Sequence, residues 1–209
     1  PNVEVFRESA MSAADVAAVG ADHVVIATGA TWRRDRFDGE CYVPVAAPGT
    51  APEILTADDI MSGRLPAGPT LVYDEDGNYL GGVIAEKVRE TGLPVTLCTP
   101  ADVVSPWAEK TSERWRVRRH LVKLGVGIEL SRALTRFDGR EATLACQYGG
   151  GEKRLAVASV VMVTQRAPND GLYRDILATV DGEAGKLPFT LTRIGDCEAP
   201  AIVAAAVYA

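Results

Sequence analysis

The run Val24-Val25-Ile26-Ala27, closed by Thr28-Gly29, is the feature that most limits what this chain can fold into. Four consecutive apolar residues, three of them β-branched, leave no solvent-facing side. Such a run fits a strand covered on both faces, as in the parallel sheet of an α/β protein. Thr70-Leu71-Val72-Tyr73 has the same character and follows Gly68-Pro69. Apolar residues make up 47% of the 209 and charged ones 24%, enough to build a core around strands of this kind. From Met11 to Ala21, Ala, Val and Asp alternate at helix-like spacing ahead of the first strand.

Beyond Tyr73 the pattern reads strand, loop, helix, strand. The loop is Asp74 to Tyr79, the helix runs from Leu80 to Thr91 with Gly92 as its left-handed end, and the second strand is Pro94 to Cys98. This makes a βαβ unit of about thirty residues with an expected right-handed crossover. A second helix, Ala108 to Leu124, leads to a strand at Val126 to Leu130. Arg132–Phe137, Ala142–Tyr148 and Lys153–Val157 read as an antiparallel meander turned at Asp138-Gly139 and Gly149-Gly150-Gly151. Val160–Val163 is another buried strand, and Thr190–Ile194 leads into Gly195-Asp196 and an alanine-rich helical start. The stretch from Phe37 to Pro69 is rich in Pro and Gly, as a domain boundary is. It holds one short helix signal, with Thr56 as N-cap and Asp59 at the capping-box position.

A net charge of -6 argues against general attraction to nucleic acid or anionic lipid. No apolar run approaches the roughly 20 residues that span a bilayer. The opening PNVEVFRESA lacks the apolar stretch of a signal peptide, so the chain reads as soluble and cytoplasmic. Cys41, Cys98, Cys146 and Cys197 stand apart from one another and from any His at ligand spacing, which speaks for small buried hydrophobes and no metal site. His23 and His120 have no nearby nucleophile, and His23 reads as a packed or rim residue. Arg114, Arg116, Arg118, Arg119 and Lys123, interleaved with Trp115, Leu121 and Leu124, read as a solvated amphipathic face; docking of another domain or an acidic partner is the alternative. Trp32, Trp107 and Trp115 read as core or interdomain anchors.

Two places carry ligand chemistry. Thr28-Gly29 lets the backbone turn sharply at a strand end and approach a dinucleotide with no Cβ in the way. At Gly195-Asp196 a carboxylate at a strand end can accept hydrogen bonds from ribose or ribityl hydroxyls, while a helix start faces phosphate. Either alone would be an ordinary tight turn; the pair, about 165 residues apart around a βαβ unit, points to nucleotide binding. Val24–Gly29 and Val160–Arg166 also echo one another, which points to two related folds, one inserted in the other.

The order ADHVVIATGA, LTADDIM, GGVIAEKVRETGLPVTL and IGDCEAP resembles the C-terminal half of the trimethylamine dehydrogenase family. That family includes the dimethylamine and histamine dehydrogenases and the bacterial 2,4-dienoyl-CoA reductases. The resemblance implies an α/β architecture: a partial FAD/NAD(P)-binding Rossmann-like fold with a second Rossmann-like domain inserted. Residues 1–66 and 186–209 would form the outer, FAD- or ADP-binding part, and 67–185 the inserted NAD(P)-like part. It further implies a parent flavin-dependent oxidoreductase whose FMN barrel and iron–sulfur cluster lie in an N-terminal part. Partners would be that barrel and an electron-transfer protein, with an oligomer as one arrangement. The outer fold's opening strand and G-x-G-x-x-G loop do not precede Thr28-Gly29, so the chain reads as a piece of a longer polypeptide that is not catalytic by itself.

The inserted fold departs from its own fingerprint. After Tyr73 stands Asp74-Glu75-Asp76-Gly77-Asn78-Tyr79-Leu80-Gly81-Gly82, with three carboxylates where a pyrophosphate would dock. At about 5 Å and an effective dielectric near 20, each carboxylate–phosphate pair costs about 3 kcal/mol before screening. Those acids suit the helix start itself. Cys98-Thr99-Pro100 offers neither a ribose acid nor an Arg for a 2′-phosphate, and Gln165 replaces the Gly of a T-G-R-x-P-N turn. The expectation is a degenerate NAD(P) site in an amine-dehydrogenase-like protein, with Thr28, Gly29, Gly195 and Asp196 as the nucleotide residues. One alternative is a dienoyl-CoA-reductase-like domain in which Gly77, Gly81 and Gly82 cradle NAD(P)H. The other is a non-catalytic scaffold.

Overall fold

The computed structural model describes residues 2–37, 42–43, 45–46, 52–179 and 187–202. The chain divides into two compact units, one built from Pro1–Thr31 with Arg166–Ala209, the other from Trp32–Gln165. These bounds differ from the division into 1–66 with 186–209 against 67–185. Glu53–Thr56, placed by the sequence in the outer part, forms a parallel strand beside Ser159–Val163 in the sheet of the second unit.

The second unit is organised by a five-stranded parallel sheet in the order Glu53–Thr56, Ser159–Val163, Thr70–Asp74, Val95–Cys98, Gly127–Glu129. Every residue of the two strands Ser159–Val163 and Thr70–Asp74 is buried, which is why they read as unbroken apolar runs. Side chains alternate between the faces. Val72, Val161 and Val163 pack with Ile84, Val88 and Leu121 from the helices Leu80–Glu90 and Arg114–Lys123. Leu71, Tyr73, Val160 and Met162 pack with Leu134, Phe137 and Leu144 of the meander. That meander, Arg132–Phe137, Glu141–Cys146 and Glu152–Ala156, lies where the sequence placed it.

Local signals explain the ends of these elements. Thr56 and Asp59 form the expected capping box of the helix Ala57–Met61, with the Thr56 amide donating to Asp59 at 2.8 Å. The expected long helix from Ala108 is instead a 3-10 turn, Pro106–Glu109, and a separate helix, Arg114–Lys123. Between them Ser112 adopts φ 60°, a conformation that α-helix cannot continue through.

In the first unit, Ser12 and Asp15 cap the helix Ala13–Ala18. The strand His23–Ile26 runs parallel to Thr190–Arg193, but it is not covered on both faces as its apolar run predicts: Ile26 is its one buried residue and Val25 is 54% exposed, in a sheet of two described strands. A helix the sequence reading passed over, Gly171–Ala178, supplies Ile176 to a small core with Val16, Ile26 and Cys197. The expected alanine-rich helix beyond Ile202, like Cys41, lies outside the described residues. No described helix is long and apolar enough to cross a membrane.

Candidate functional site

Ligands of doubly wound sheets bind beyond the carboxyl ends of the strands, where the strand order reverses. In the second unit the chain steps outward from Thr70–Asp74 to Val95–Cys98 and Gly127–Glu129, then returns to the other side at Ser159–Val163. The reversal therefore lies beyond Asp74 and Val163, where the loop after Asp74 is tied to Val163. The amides of Glu75 and Asp76 both donate to the Val163 carbonyl, at 2.9 and 3.1 Å.

The three carboxylates part company here. Asp74 is fully buried; its Oδ1 accepts from the Gly77 amide at 3.1 Å, and its Oδ2 has no hydrogen-bond partner among the described residues. Burial, with the nearby Asp76 and Glu75 charges adding to it, pushes this carboxyl up to about 7. Glu75 turns away and accepts from the Tyr73 hydroxyl at 2.6 Å and from Arg36 at 2.7 Å. Asp76 accepts from the Asn78 amide at 3.3 Å. The acids thus satisfy the loop rather than the helix start that the sequence assigned to them; Tyr79, at the helix N-terminus, makes no side-chain cap bond.

The glycines of this loop lie against protein. A Cβ on Gly81 would stand 2.4 Å from Asp74 Cγ, and one on Gly82 would stand 2.9 Å from Val117. Gly77, at φ 67°, lies under Pro106 and Trp107, and its carbonyl accepts from the Trp107 amide at 3.0 Å. Gly77, Gly81 and Gly82 are therefore each approached by the chain's own side chains.

The first unit presents the opposite arrangement. Thr28-Gly29 follows the strand His23–Ile26, Gly195-Asp196 follows Thr190–Arg193, and Ile26 pairs with Arg193. The two turns foreseen from the sequence are thereby brought side by side at the carboxyl ends of neighbouring parallel strands. Gly29 at φ 72° and Gly195 at φ 62° have no described residue within 4 Å of where a Cβ would stand. That openness fits close approach of a nucleotide to the backbone. Thr28 donates to the Asn169 carbonyl at 2.5 Å, and Asn169 returns two bonds, its side chain to the Thr28 carbonyl and its amide to that of Gly29. Asp196 is held by Arg166 and accepts from the Ala201 amide at 3.1 Å. Arg166 and Asn169 belong to the turn whose Gln165 drew notice in the sequence; their role in bracing Thr28 and Asp196 follows only from the fold.

Of the remaining candidates, His23 is exposed at its strand's start and His120 pairs with Glu86 at 2.8 Å. Trp32 is half-buried; Trp107 and Trp115 are more than half exposed and so are not core anchors.

No family model matches the chain. Histamine dehydrogenase from Rhizobium sp. 4-9 superimposes on all of it with a TM-score of 0.90 and 36% identity. The chain is homologous to the C-terminal region of the dimethylamine and histamine dehydrogenases. Dimethylamine dehydrogenase from Hyphomicrobium sp. (strain x) is 27% identical across 97% of this chain. The 6-hydroxypseudooxynicotine amine oxidase from Pseudomonas geniculata N1 matches all of it at 34% identity and a TM-score of 0.89. The chain spans about a third of the length of these relatives: 32%, 30% and 31% respectively. The resemblance read from ADHVVIATGA through IGDCEAP is thus borne out, as is the mixed α/β flavoprotein fold.

Proposed function

We propose that this chain is the nucleotide-domain portion of a flavin-dependent amine dehydrogenase, with one nucleotide-type site kept and the other closed. In this reading the outer fold contributes Thr28, Gly29, Gly195 and Asp196 to an ADP or FAD moiety. The glycine turns would admit the nucleotide backbone, and the Asp196 carboxylate, braced by Arg166, would accept from its hydroxyls. The inserted fold is degenerate and takes no NAD(P)H. FMN and an iron–sulfur cluster belong to an N-terminal barrel elsewhere in the parent enzyme, which passes electrons to a protein acceptor. The flavin supplies the redox chemistry; the residues described here position and exclude.

One observation carries this reading: at the strand-order reversal beyond Asp74 and Val163 the amides of Glu75, Asp76, Gly77 and Asn78 bond to Val163 or within the loop, and the chain's own side chains stand beside Gly77, Gly81 and Gly82. Homology to amine dehydrogenases supports the parent activity. The test is calorimetric titration of the chain with ADP, FAD, NADH and NADPH in turn. ADP or FAD is expected to bind, about ten-fold more weakly in Asp196→Ala, the loss of one charged hydrogen bond. Micromolar binding of NADH or NADPH would overturn the closed-site assignment. Binding of none of the four would leave the chain a scaffold. The sequence of the parent reading frame tests the larger claim, since a barrel and cluster cysteines must be encoded with this region.

A further inference from the structure

The helix Arg114–Lys123 turns Val117 and Leu121 toward the sheet and leaves the rest of its surface to solvent. It holds five Lys and Arg and no acid, in a chain whose net charge is -6. Arg114 is paired with Glu109, and His120 with Glu86. Arg116, Arg118, Arg119 and Lys123 are exposed and have no carboxylate partner among the described residues. Trp115 is 57% exposed, with the Arg116 guanidinium over its ring at 5.3 Å. The adjoining 3-10 turn adds Trp107, 55% exposed and stacked by Lys110 at 4.6 Å. An open groove of about 450 Å³ runs between Trp115, Arg116, Arg119, His120 and Lys123.

We propose that this face docks a carboxylate-rich surface of a second protein. Unneutralised cations crowded on one helix repel each other and are relieved by acids from outside. Exposed Trp beside Arg is the composition of an interface centre, where a flat ring buries large area at little entropic cost. A membrane surface is a poorer occupant, because the apolar side of this helix is already spent on the core. Nucleic acid is poorer as well: a ten-residue helix is about 15 Å long and meets few phosphates along a duplex or strand.

The test is fluorescence anisotropy of a labelled glutamate oligomer titrated with the full chain, at low and at raised salt. Binding is expected to weaken with salt. It should fall about ten-fold for each of Arg116→Glu and Arg119→Glu, and drop measurably in Trp115→Ala. Arg116→Lys and Arg119→Lys, which keep the charge, should bind within about three-fold of the parent, with unchanged circular dichroism for every variant. Carbodiimide coupling of the bound oligomer should mark Lys123. Failure to bind at low salt, or binding indifferent to charge reversal, overturns the proposal. Tighter binding of a single-stranded oligonucleotide or of phosphatidylserine vesicles overturns it too, in favour of those partners.

Discussion

The two units place glycines at the carboxyl ends of parallel strands and use them in opposite ways. In the Trp32–Gln165 unit the glycines after Asp74 let protein approach protein: a buried carboxyl against Gly81, Val117 against Gly82, Pro106 and Trp107 over Gly77. In the other unit Gly29 and Gly195 hold left-handed turns, and no described residue packs where a side chain would go. The same residue type at the same topological place thus packs against the chain in one unit and stands clear of the described residues in the other.

The strongest way to break this contrast is to titrate the closed side. Asp74 is buried, and its carboxyl is raised from 3.8 to about 7. The folded state therefore favours the protonated acid. Its contribution is fully present below about pH 4 and is lost as pH rises toward 7. Over that window the loss is on the order of 4 kcal/mol at about 1.4 kcal/mol per unit. Urea denaturation at a series of pH values should give a parent curve that falls relative to that of Asp74→Asn. Parallel curves would mean the carboxyl stays ionised and finds a partner.

Next in size, Gly81→Ala should cost about 3 kcal/mol, because its Cβ would overlap the Asp74 carboxyl. The same change combined with Asp74→Ala should recover most of that loss, a coupling read from the double-mutant cycle. Additive losses would put the clash elsewhere. In the other unit, Gly29→Ala and Gly195→Ala meet no atoms of the described residues and should cost only about 1 kcal/mol each, from backbone strain. Their effect should instead appear in ADP titration. If either destabilises as much as Gly81→Ala, the two units do not differ as described. Of the same small size is the effect of Asp59→Asn, about 1 kcal/mol for a weakened capping box. The Arg34 hydrogen bond, reinforced by the Thr56 bonds, holds Asp59 down at about 2 against a smaller desolvation cost. Its contribution is present above pH 4 and lost as pH falls through about 2, so the variant should match the parent in strong acid.

Much of the fold was legible because its signals are local. The runs Thr70–Tyr73 and Val160–Val163 are apolar throughout because both sheet faces are covered, and Asp138-Gly139 and Gly149 to Gly151 mark the meander turns. Glu53–Thr56 was not legible as a strand: it is four residues long, sits in a Pro- and Gly-rich stretch, and owes its conformation to pairing with Ser159–Val163, about a hundred residues away. Gly171–Ala178 was missed because its apolar face is short and finds its core only with Val16 and Ile26. The separate helix at Arg114 hides inside a continuous helical pattern, broken by one left-handed serine that no composition announces.

The sequence by itself determined the family, the α/β class, and the two turns Thr28-Gly29 and Gly195-Asp196, because strand runs and tight turns are written in neighbouring residues. It also placed three acids where a phosphate would sit. Only the tertiary structure decided what each acid does. Asp74 goes inward against Gly81, Glu75 goes to Arg36 and Tyr73, and Asp76 caps its own loop. Burial and hydrogen-bond partners are properties of residues brought together from distant parts of the chain, and they set the charge and reach of a carboxylate more strongly than its neighbours in sequence.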